Sequence, residues 1–233
     1  MEQFSRITRI LGDAPIEAIQ QKKVAIFGLG GVGGYVVEAL TRMGVGKLVL
    51  IDHDTVDITN LNRQIYALHS TIGMKKVDVA TSRCLDINPN VEITKYDQFY
   101  LPEKGLEYMF EDCDFVVDCI DTVTAKIDLI EQCRKRNINI ISSMGTGNKL
   151  DPSLFEITTI EKTSVCPIAK VMRKELKVRN IKKQMVLFST EKPIKTDGST
   201  PGSVSFVPSS AGLMIAGYVF KELIKNNESI NDN

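Results

Sequence analysis

The sequence has no tryptophan, two histidines and five cysteines among its 233 residues. The number of cysteines is odd, and no two of them form a Cys-x-x-Cys pair. Disulfide frameworks use even sets of cysteines, and structural zinc sites take four cysteine or histidine ligands, commonly at short paired spacings. The composition therefore argues against both kinds of cross-link, and no zinc is expected. Free thiols are predicted at Cys84, Cys113, Cys119, Cys133 and Cys166.

Long apolar runs and an excess of charge of one sign are also missing. The longest apolar stretch, 211–220, is too short to span a bilayer, and no signal-like run leads the chain. Basic and acidic residues both number 29, so the net charge is zero. We expect a cytoplasmic protein with no membrane partner. A hydrophobic content of 43% suits one α/β domain, 1–233, with an N-terminal arm and helix over 1–22 and a frayed tail over 226–233.

A strand, a tight glycine turn and a helix are predicted near the start of the chain. Residues 24–27 form a short β-prone run that stops at GLGGVGG, after which apolar residues recur at helical spacing. Gly28, Gly30 and Gly33 have the spacing GxGxxG, with Gly31 between them. Glycines there permit the turn and let a phosphate approach the backbone. The phosphate would bind to amides at the helix N-terminus.

A carboxylate and a set of polar side chains follow the next apolar run. Asp52 ends that run 19 residues beyond the last glycine of the motif, about where a ribose-binding carboxylate is expected. The glycines and Asp52 alone suit NAD and FAD as well as an adenylate. The chain then continues with DHDTV and NLNRQ, whose amide and guanidinium donors favour a triphosphate. The candidate nucleotide-binding residues in this stretch are Asp52, Asp54, Asn60, Arg63 and Gln64.

The glycine motif followed by these two segments resembles the superfamily of ThiF, MoeB and the ubiquitin-activating enzymes. The pattern of that superfamily is GxGGxG, then DxDxV, then NLxRQ, and the sequence matches it without a gap. The resemblance implies that ATP and Mg²⁺ are bound and that a carboxylate is adenylated. The fold class predicted is α/β, with a Rossmann-like, doubly wound, mainly parallel sheet and a C-terminal antiparallel extension. An NAD-dependent oxidoreductase is the remote alternative, since it would leave DxDxV and NLxRQ without a role.

A helical segment is predicted over 101–110, and the apolar run after it ends in two carboxylates, Asp118 and Asp121. The carboxyl ends of parallel strands line the ligand crevice, so either carboxylate could face a metal-bound phosphate. Asp121 could instead cap the helix predicted over 122–136. In the resembled superfamily the second carboxylate of DxxD binds magnesium, so the resemblance implies that Asp121 is a metal ligand and a catalytic residue.

Basic residues are the candidates for handling phosphate charge. Lys76 matches the lysine of the superfamily's GxxK step, and Lys75 is the nearby alternative. The resemblance implies that Lys76 and Arg63 offset negative charge that develops during the reaction. In the superfamily an arginine of the N-terminal arm reaches across a homodimer to the partner's nucleotide. Either Arg6 or Arg9 could do so here, and the alternative is a solvated arm.

The last third of the chain carries a basic helix. Residues 154–160 alternate like an antiparallel strand, and Pro167 stands near the start of a helix. Four basic residues recur along that helix at i, i+3, i+4 and i+7, which places them on one side. This face is either simply solvated or binds a polyanion such as tRNA. Its residues are Lys170, Arg173, Lys174 and Lys177.

Beyond the basic helix the sequence predicts four further features. These are a strand over 186–189, a mobile polar loop over 190–203, a strand over 204–207, and a last helix capped by Ser209 or Ser210 and running to about residue 225.

Further motifs narrow the resemblance to one branch of the superfamily. FSRITRILG near the N-terminus, SSMGTG with Asp-Pro shortly after it, and KTSVCP before the basic helix resemble the tRNA threonylcarbamoyladenosine dehydratases. This implies an ATP-dependent, cyclising dehydration of threonylcarbamoyladenosine in tRNA. The alternative is adenylation of the C-terminal Gly-Gly of a ubiquitin-like sulfur carrier, with a cysteine desulfurase system as a partner. Cys166 stands where the branch usually has Asp, and it is either a packed residue or a thioester-forming thiol.

Overall fold

A seven-stranded sheet runs through the middle of the molecule. The computed structural model describes residues 2–102, 104–198 and 200–228. The strand order is 3-2-1-4-5-7-6, and every neighbouring pair is parallel except the last. The predicted mainly parallel sheet with a C-terminal antiparallel extension is confirmed. The strands are β1 (Lys23–Phe27), β2 (Lys47–Asp52), β3 (Glu92–Asp97), β4 (Phe115–Asp118), β5 (Asn139–Ser143), β6 (Phe155–Thr159) and β7 (Met185–Ser189).

Helices cover both faces of this sheet, as a doubly wound fold requires. Five of the described α-helices contribute side chains to the core on one face, and two pack on the other face. None of the described helices has the length and apolar character needed to cross a membrane. The helices are α1 (Ser5–Leu11), α2 (Asp13–Ile19), α3 (Gly33–Arg42), α4 (Lys76–Ile87), α5 (Val123–Lys135), α6 (Pro167–Val178) and α7 (Phe206–Glu228).

Successive residues of the central strands point into two separate cores. On β1, Val24 and Ile26 pack with α3 and α7, whereas Ala25 and Phe27 pack with α5 and the segment after β3. Strands buried on both faces read as continuous apolar runs, which is why they were recognisable in the sequence. Phe27 lies in register with Ile51 on one side and Asp118 on the other. The carboxyl ends of β1, β2 and β4 therefore lie side by side.

The last helix, α7, crosses α3 at very short range. A Cβ on Gly212 would lie 2.4 Å from the Val32 carbonyl oxygen and 2.8 Å from the Tyr35 Cβ, so glycine is needed at this crossing. Near the start of α7, Pro208 lies against Gly31 of the glycine turn. The C-terminal helix thus packs directly on the turn that opens the fold.

The strand predicted over 204–207 is wrong, because α7 already begins at Phe206. Ser209 and Ser210 are not caps either. Their hydroxyls donate to the carbonyls of Ser205 and Phe206 from inside the helix, at 2.8 and 2.7 Å. Periodicity cannot distinguish a short, mostly apolar run such as 204–207 from the first turn of a buried helix. The proline in that turn fits a helix start, where its missing N–H costs nothing.

The helix predicted over 101–110 is also wrong. In its described part the chain is irregular except for a single 3₁₀ turn, Glu107–Met109. Gly105 explains the failure, since it takes a φ of 64°, outside the right-handed helical region. The apolar residues that suggested a helix, among them Met109 and Phe110, are nevertheless buried against the sheet.

Two predicted segments have a mixed outcome. The loop over 190–203 is irregular where it is described, and it is held at both ends by Asn148, whose carbonyl accepts from the Ile194 amide and whose side chain accepts from the Gly202 amide. Its mobility stays a prediction. Of the tail predicted over 226–233, the backbone up to Glu228 continues α7, and 229–233 lie outside the described residues.

Two glycines of α7 give a matched test of the crossing with α3. We expect Gly212→Ala to destabilise the protein by about 1–3 kcal/mol, because the new methyl group forces the two helices apart. The control is Gly217→Ala, where a Cβ meets nothing within 4 Å and should add about 0.5–1 kcal/mol of helix stability. Denaturant unfolding of both variants measures the difference. Equal stability of the two would contradict the packing described.

Candidate functional site

A cavity opens over the carboxyl ends of β1, β2 and β4. Its volume is about 530 Å³. In an open α/β sheet, ligands bind at this edge, where the direction of strand order reverses. The order 3-2-1-4 puts the reversal between β1 and β4. Among the lining residues are Gly28, Gly30, Gly31, Asp52, Asp54, Asn60, Arg63, Gln64, Lys76 and Asp121.

The glycine turn forms one wall of the cavity. A Cβ on Gly33 would lie 1.8 Å from the Gly28 carbonyl oxygen, and one on Gly28 would lie 2.7 Å from the Cys119 carbonyl oxygen. No side chain fits at either position, and Gly28 also takes a φ of 87°. The turn can therefore present backbone rather than side chains to a ligand. Gly33 does not line the cavity itself and acts by allowing the close approach.

Asp52 joins the end of β2 to this turn. One carboxylate oxygen accepts from the Leu29 amide at 2.6 Å, and the other accepts from the Asp54 amide at 2.8 Å. The side chain is buried and lines the cavity. Each carboxylate oxygen has a second lone pair, so Asp52 can still accept hydrogen bonds from a ligand hydroxyl.

Lys76 begins α4 and brings a buried positive charge to the cavity. Only 4% of the residue is exposed, and its ammonium lies 2.6 Å from the half-exposed Asp54 carboxylate. His53 contacts the other oxygen of Asp54 at 3.2 Å. Lys75 is directed elsewhere, toward Asp97 at 3.1 Å. Of the two lysines considered from the sequence, the structure brings Lys76 to the cavity.

The NLNRQ segment supplies the polar floor. Asn60 ends a 3₁₀ turn, and its side-chain oxygen accepts a hydrogen bond of 3.1 Å from the Asp57 amide. This hydrogen bond stabilises the turn. Arg63 folds back on its own loop and donates to the Thr59 carbonyl and to Asn62, both at 2.9 Å. No carboxylate pairs with Arg63 in the described part of the chain. Its charge is therefore available to an anionic ligand in the cavity.

Asp118 and Asp121, which the sequence left as alternatives, occupy different places. Asp118 is fully buried beneath the cavity and pairs with Lys126 of α5, so it does not face a ligand. Asp121 is exposed, lines the cavity and accepts a hydrogen bond from Thr122 at 3.3 Å. The N-cap of α5 is Thr122, so Asp121 is not the capping residue. A carboxylate with this much freedom can bind a hard cation.

Sequence reasoning missed part of the lining. Phe99 and Tyr100 lie just beyond β3 and line the cavity. The Phe99 ring contacts the His53 ring edge-on, with 4.6 Å between the ring centroids. The same rule that selected the ends of the other strands could have found them. Ser203 and Pro208 also line the cavity, and only the tertiary packing of α7 reveals that.

Comparison with known proteins agrees with this geometry. The model of the ThiF family matches residues 4–233. The chain belongs to the ThiF family. The tRNA threonylcarbamoyladenosine dehydratase of Bacillus subtilis (strain 168) is similar to it, with 43% identity over 246 residues that cover 98% of this chain and 97% of the relative. The protein of that name from Escherichia coli (strain K12) is 35% identical, over 82% of this chain and 74% of the relative.

Solved structures show the same relationship. The crystal structure of E. coli tRNA N6-threonylcarbamoyladenosine dehydratase, TcdA, in complex with AMP superposes with a TM-score of 0.92 at 30% identity, covering 98% of this chain and 96% of that one. The structure of the same protein in complex with ATP gives the same score. The resemblance to the ThiF superfamily and to its dehydratase branch is confirmed.

The basic helix of this ThiF-family chain is α6. Lys170, Lys174 and Lys177 are exposed on it. Arg173 is half-buried, because its guanidinium donates to the Thr163 carbonyl at 2.9 Å and also to the Thr163 hydroxyl. The structure thus leaves three of the four predicted basic residues free for a partner and gives Arg173 an internal role.

The N-terminal arginines lie away from the cavity of their own chain. Arg6 and Arg9 are exposed on α1, and neither lines the cavity. Phe4 anchors this segment, since it is buried with its ring against Gly44, before the start of β2. Any contact of Arg6 or Arg9 with a nucleotide would therefore have to be made to another copy of the chain.

The cysteines are free thiols, four of them buried. Burial raises the pKa of the Cys84 thiol to about 11 and the pKa of Cys113 and Cys119 to about 12. These residues are therefore protonated and unreactive at neutral pH. Cys166 is 2% exposed at the N-cap of α6, near Gly145. Such burial favours the packed residue over the thioester-forming thiol.

Proposed function

We propose that this chain activates a carboxylate by ATP-dependent adenylation, and that its reaction is the cyclising dehydration of threonylcarbamoyladenosine in tRNA. The observation that carries the proposal is the cavity itself. A glycine turn, the cations of Lys76 and Arg63, and the exposed carboxylate of Asp121 meet there over the strand ends. A dinucleotide used for hydride transfer would need neither the two cations nor Asp121. The relatives named tRNA threonylcarbamoyladenosine dehydratase support the choice of substrate.

The nucleotide would lie along the glycine turn. Asp52 would accept from the ribose hydroxyls, and the amides near Gly30 and Gly31 would bind phosphate. Lys76 would release the Asp54 carboxylate and bind phosphate oxygens instead. Arg63 would likewise release the Thr59 carbonyl and bind phosphate oxygens. Asn60 and Gln64, both buried in the lining, would add hydrogen bonds.

A magnesium ion fits the donor set of the cavity. Mg²⁺ is usually bound by one or two carboxylates together with substrate phosphates. Asp121 offers an exposed carboxylate that accepts a hydrogen bond from the Thr122 hydroxyl, and we propose it as the ligand. When bound, the ion would neutralise phosphate charge. Lys76 and Arg63 would stabilise the charge that collects on the leaving pyrophosphate.

The chemistry then needs two displacements. The threonyl carboxylate of the modified nucleoside attacks the α-phosphorus of ATP, and pyrophosphate leaves. The ureido nitrogen of the same nucleoside attacks the resulting acyl adenylate, loses its proton and displaces AMP, which closes the ring. The second step is intramolecular, so holding the nucleoside in place supplies much of its rate. No thiol is required, which agrees with the burial of Cys166.

The assembly that we propose is a homodimer of single-domain chains acting in the cytoplasm. In it, Arg6 or Arg9 would reach the nucleotide of the partner. The position of both residues outside their own cavity supports this arrangement. The exposed lysines of α6 would bind the tRNA backbone. Adenylation of a sulfur carrier ending in Gly-Gly is the competing reaction, and the choice of acceptor tests it.

The decisive experiment measures pyrophosphate release from ATP with each acceptor in turn. We expect turnover with tRNA that carries threonylcarbamoyladenosine and none with a ubiquitin-like carrier ending in Gly-Gly. Unmodified tRNA is the control for simple tRNA-stimulated hydrolysis. Nucleoside analysis of the product should show the cyclised base. Release driven by the carrier, with the tRNA inert, would replace the dehydratase by a sulfur-carrier enzyme.

Residues that stabilise charge in the transition state should affect turnover more than binding. We expect Arg63→Ala, Lys76→Ala and Asp121→Ala each to lower kcat by about 100- to 1,000-fold while ATP affinity changes far less. Lys75→Ala is the matched control, because its ammonium pairs with Asp97 outside the cavity, and its kcat should stay at the wild-type value. Wild-type turnover in the three variants would refute their roles.

The lysines of α6 predict how tRNA binding depends on salt. Replacing Lys170, Lys174 or Lys177 with alanine should weaken tRNA binding regardless of base sequence, and each should reduce the log–log salt slope by nearly one. ATP affinity should not change. Lys221→Ala removes an exposed charge from α7 on the opposite face of the sheet and serves as the control. If a variant with all three α6 lysines replaced keeps the wild-type salt slope of tRNA binding, α6 does not contact the tRNA.

A further inference from the structure

A fully buried ion pair lies directly beneath the candidate site. The Asp118 and Lys126 side chains are 0% and 1% exposed, and the ammonium lies 2.9 and 3.0 Å from the two carboxylate oxygens. Removing two charges from water is so costly that such a pair commonly stabilises a fold no better than apolar side chains of similar size. Stability alone is therefore a poor explanation for placing it in the core.

The pair closes a short segment of chain at both ends. Asp118 is the last residue of β4, and Lys126 stands in the first turn of α5. The Asp118 carboxylate also accepts from the Ile120 amide at 3.1 Å, inside the segment that the pair encloses. This carboxylate therefore fixes the strand end, the loop and the helix start relative to one another.

The enclosed segment, 119–122, is the one that carries Asp121 into the cavity. Cys119 and Ile120 line the same cavity. The Cys119 carbonyl also presses on Gly28, where a Cβ would lie 2.7 Å away. A shift of this segment would therefore move both Asp121 and the wall formed by the glycine turn.

We propose that the Lys126–Asp118 pair is a positioning device for Asp121. Neither member lines the cavity, so each acts through the 119–122 segment and not on the ligand. The proposal rests on the role given to Asp121 under the proposed function. It predicts that the pair contributes to turnover and to local order, and little to global stability.

The test replaces both charges at once. In Asp118→Val/Lys126→Met no buried charge is left unpaired, so we expect global stability equal to or above that of the wild type. Hydrogen exchange of the Ile120 amide should rise, since its acceptor is gone. The kcat for pyrophosphate release should fall at least 10-fold, because misplacing a catalytic group by about 1 Å can cost about 100-fold. The control is a partly buried ion pair away from the cavity, Glu38 with Arg83, which Arg42 also joins; Glu38→Gln/Arg83→Gln should leave kcat unchanged.

Combination with Asp121→Ala distinguishes positioning from a general structural effect. If the pair acts through Asp121, adding Asp121→Ala to the double variant should give a kcat no lower than that of Asp121→Ala alone, within about threefold. Independent effects would multiply. A stable double variant with wild-type kcat, or multiplying losses, would overturn the proposal.

Two further measurements keep the test decisive. If the double variant fails to fold, Asp118→Asn/Lys126→Gln keeps the shape and the acceptor for the Ile120 amide, removes both charges together, and should lower kcat at least threefold. An unchanged kcat there would count against the proposal.

Magnesium-dependent ATP binding, measured without any acceptor, should weaken equally in the pair variant and in Asp121→Ala. If the wild type does not turn over tRNA, the proposed function is wrong. The comparison of ATP binding between the pair variant and Asp121→Ala still tests the positioning role.

Discussion

The close approach of three backbone segments at the end of β1 is the constraint on which the rest of the site depends. The Gly28 carbonyl stands where a Cβ of Gly33 would be, and the Cys119 carbonyl stands almost where a Cβ of Gly28 would be. The glycine turn, the start of α3 and the segment after β4 therefore meet without intervening side chains. With β1 and β4 in register up to Phe27 and Asp118, the polar residues that follow these strands have no alternative but to surround one cavity.

The charges around that cavity already have partners that they can exchange. Lys76 is nearly inaccessible to water, and an ammonium so placed would be strongly disfavoured without a counter-charge. Asp54 supplies that charge from a half-exposed position, so a phosphate can take over at modest cost. Arg63 donates to the Thr59 carbonyl and to the side-chain oxygen of Asn62. These neutral acceptors are weaker partners than an anion. A polyanion can thus replace the internal partners of both cations.

Much of the fold and the site could be predicted because the signals are local. The strand over 24–27, the glycine spacing and the residues Asp52, Arg63 and Lys76 lie in consecutive motifs whose geometry a parallel sheet dictates. Asp118 and Asp121 could not be separated, since the choice depends on Lys126, a residue on the following helix. Ser203 and Pro208 join the lining through long-range packing that no local pattern contains.

Helical geometry could have corrected one further prediction. Arg173 stands four residues after Ala169 and three before Leu176, which are both buried, so it borders the packed side of α6. The helical spacing of the basic residues groups Arg173 with the lysines. Its position beside buried residues agrees instead with its hydrogen bond to Thr163. The strand predicted over 204–207 failed for a different reason, since a short, mostly apolar run is compatible with either a strand or the first turn of a buried helix.

The packing of α7 also bears on how the protein is made. The glycine turn is translated early, but the residues that close over it, Pro208 and Gly212, come from the last helix. A nascent chain that lacks them exposes the apolar side of α3, including Val36 and Val37, which α7 and its neighbours bury in the finished protein. Domains generally fold as units, and apolar surface that is exposed before a domain folds promotes aggregation. Synthesis must therefore have passed α7 before a ribosome-bound molecule can cover that surface by itself.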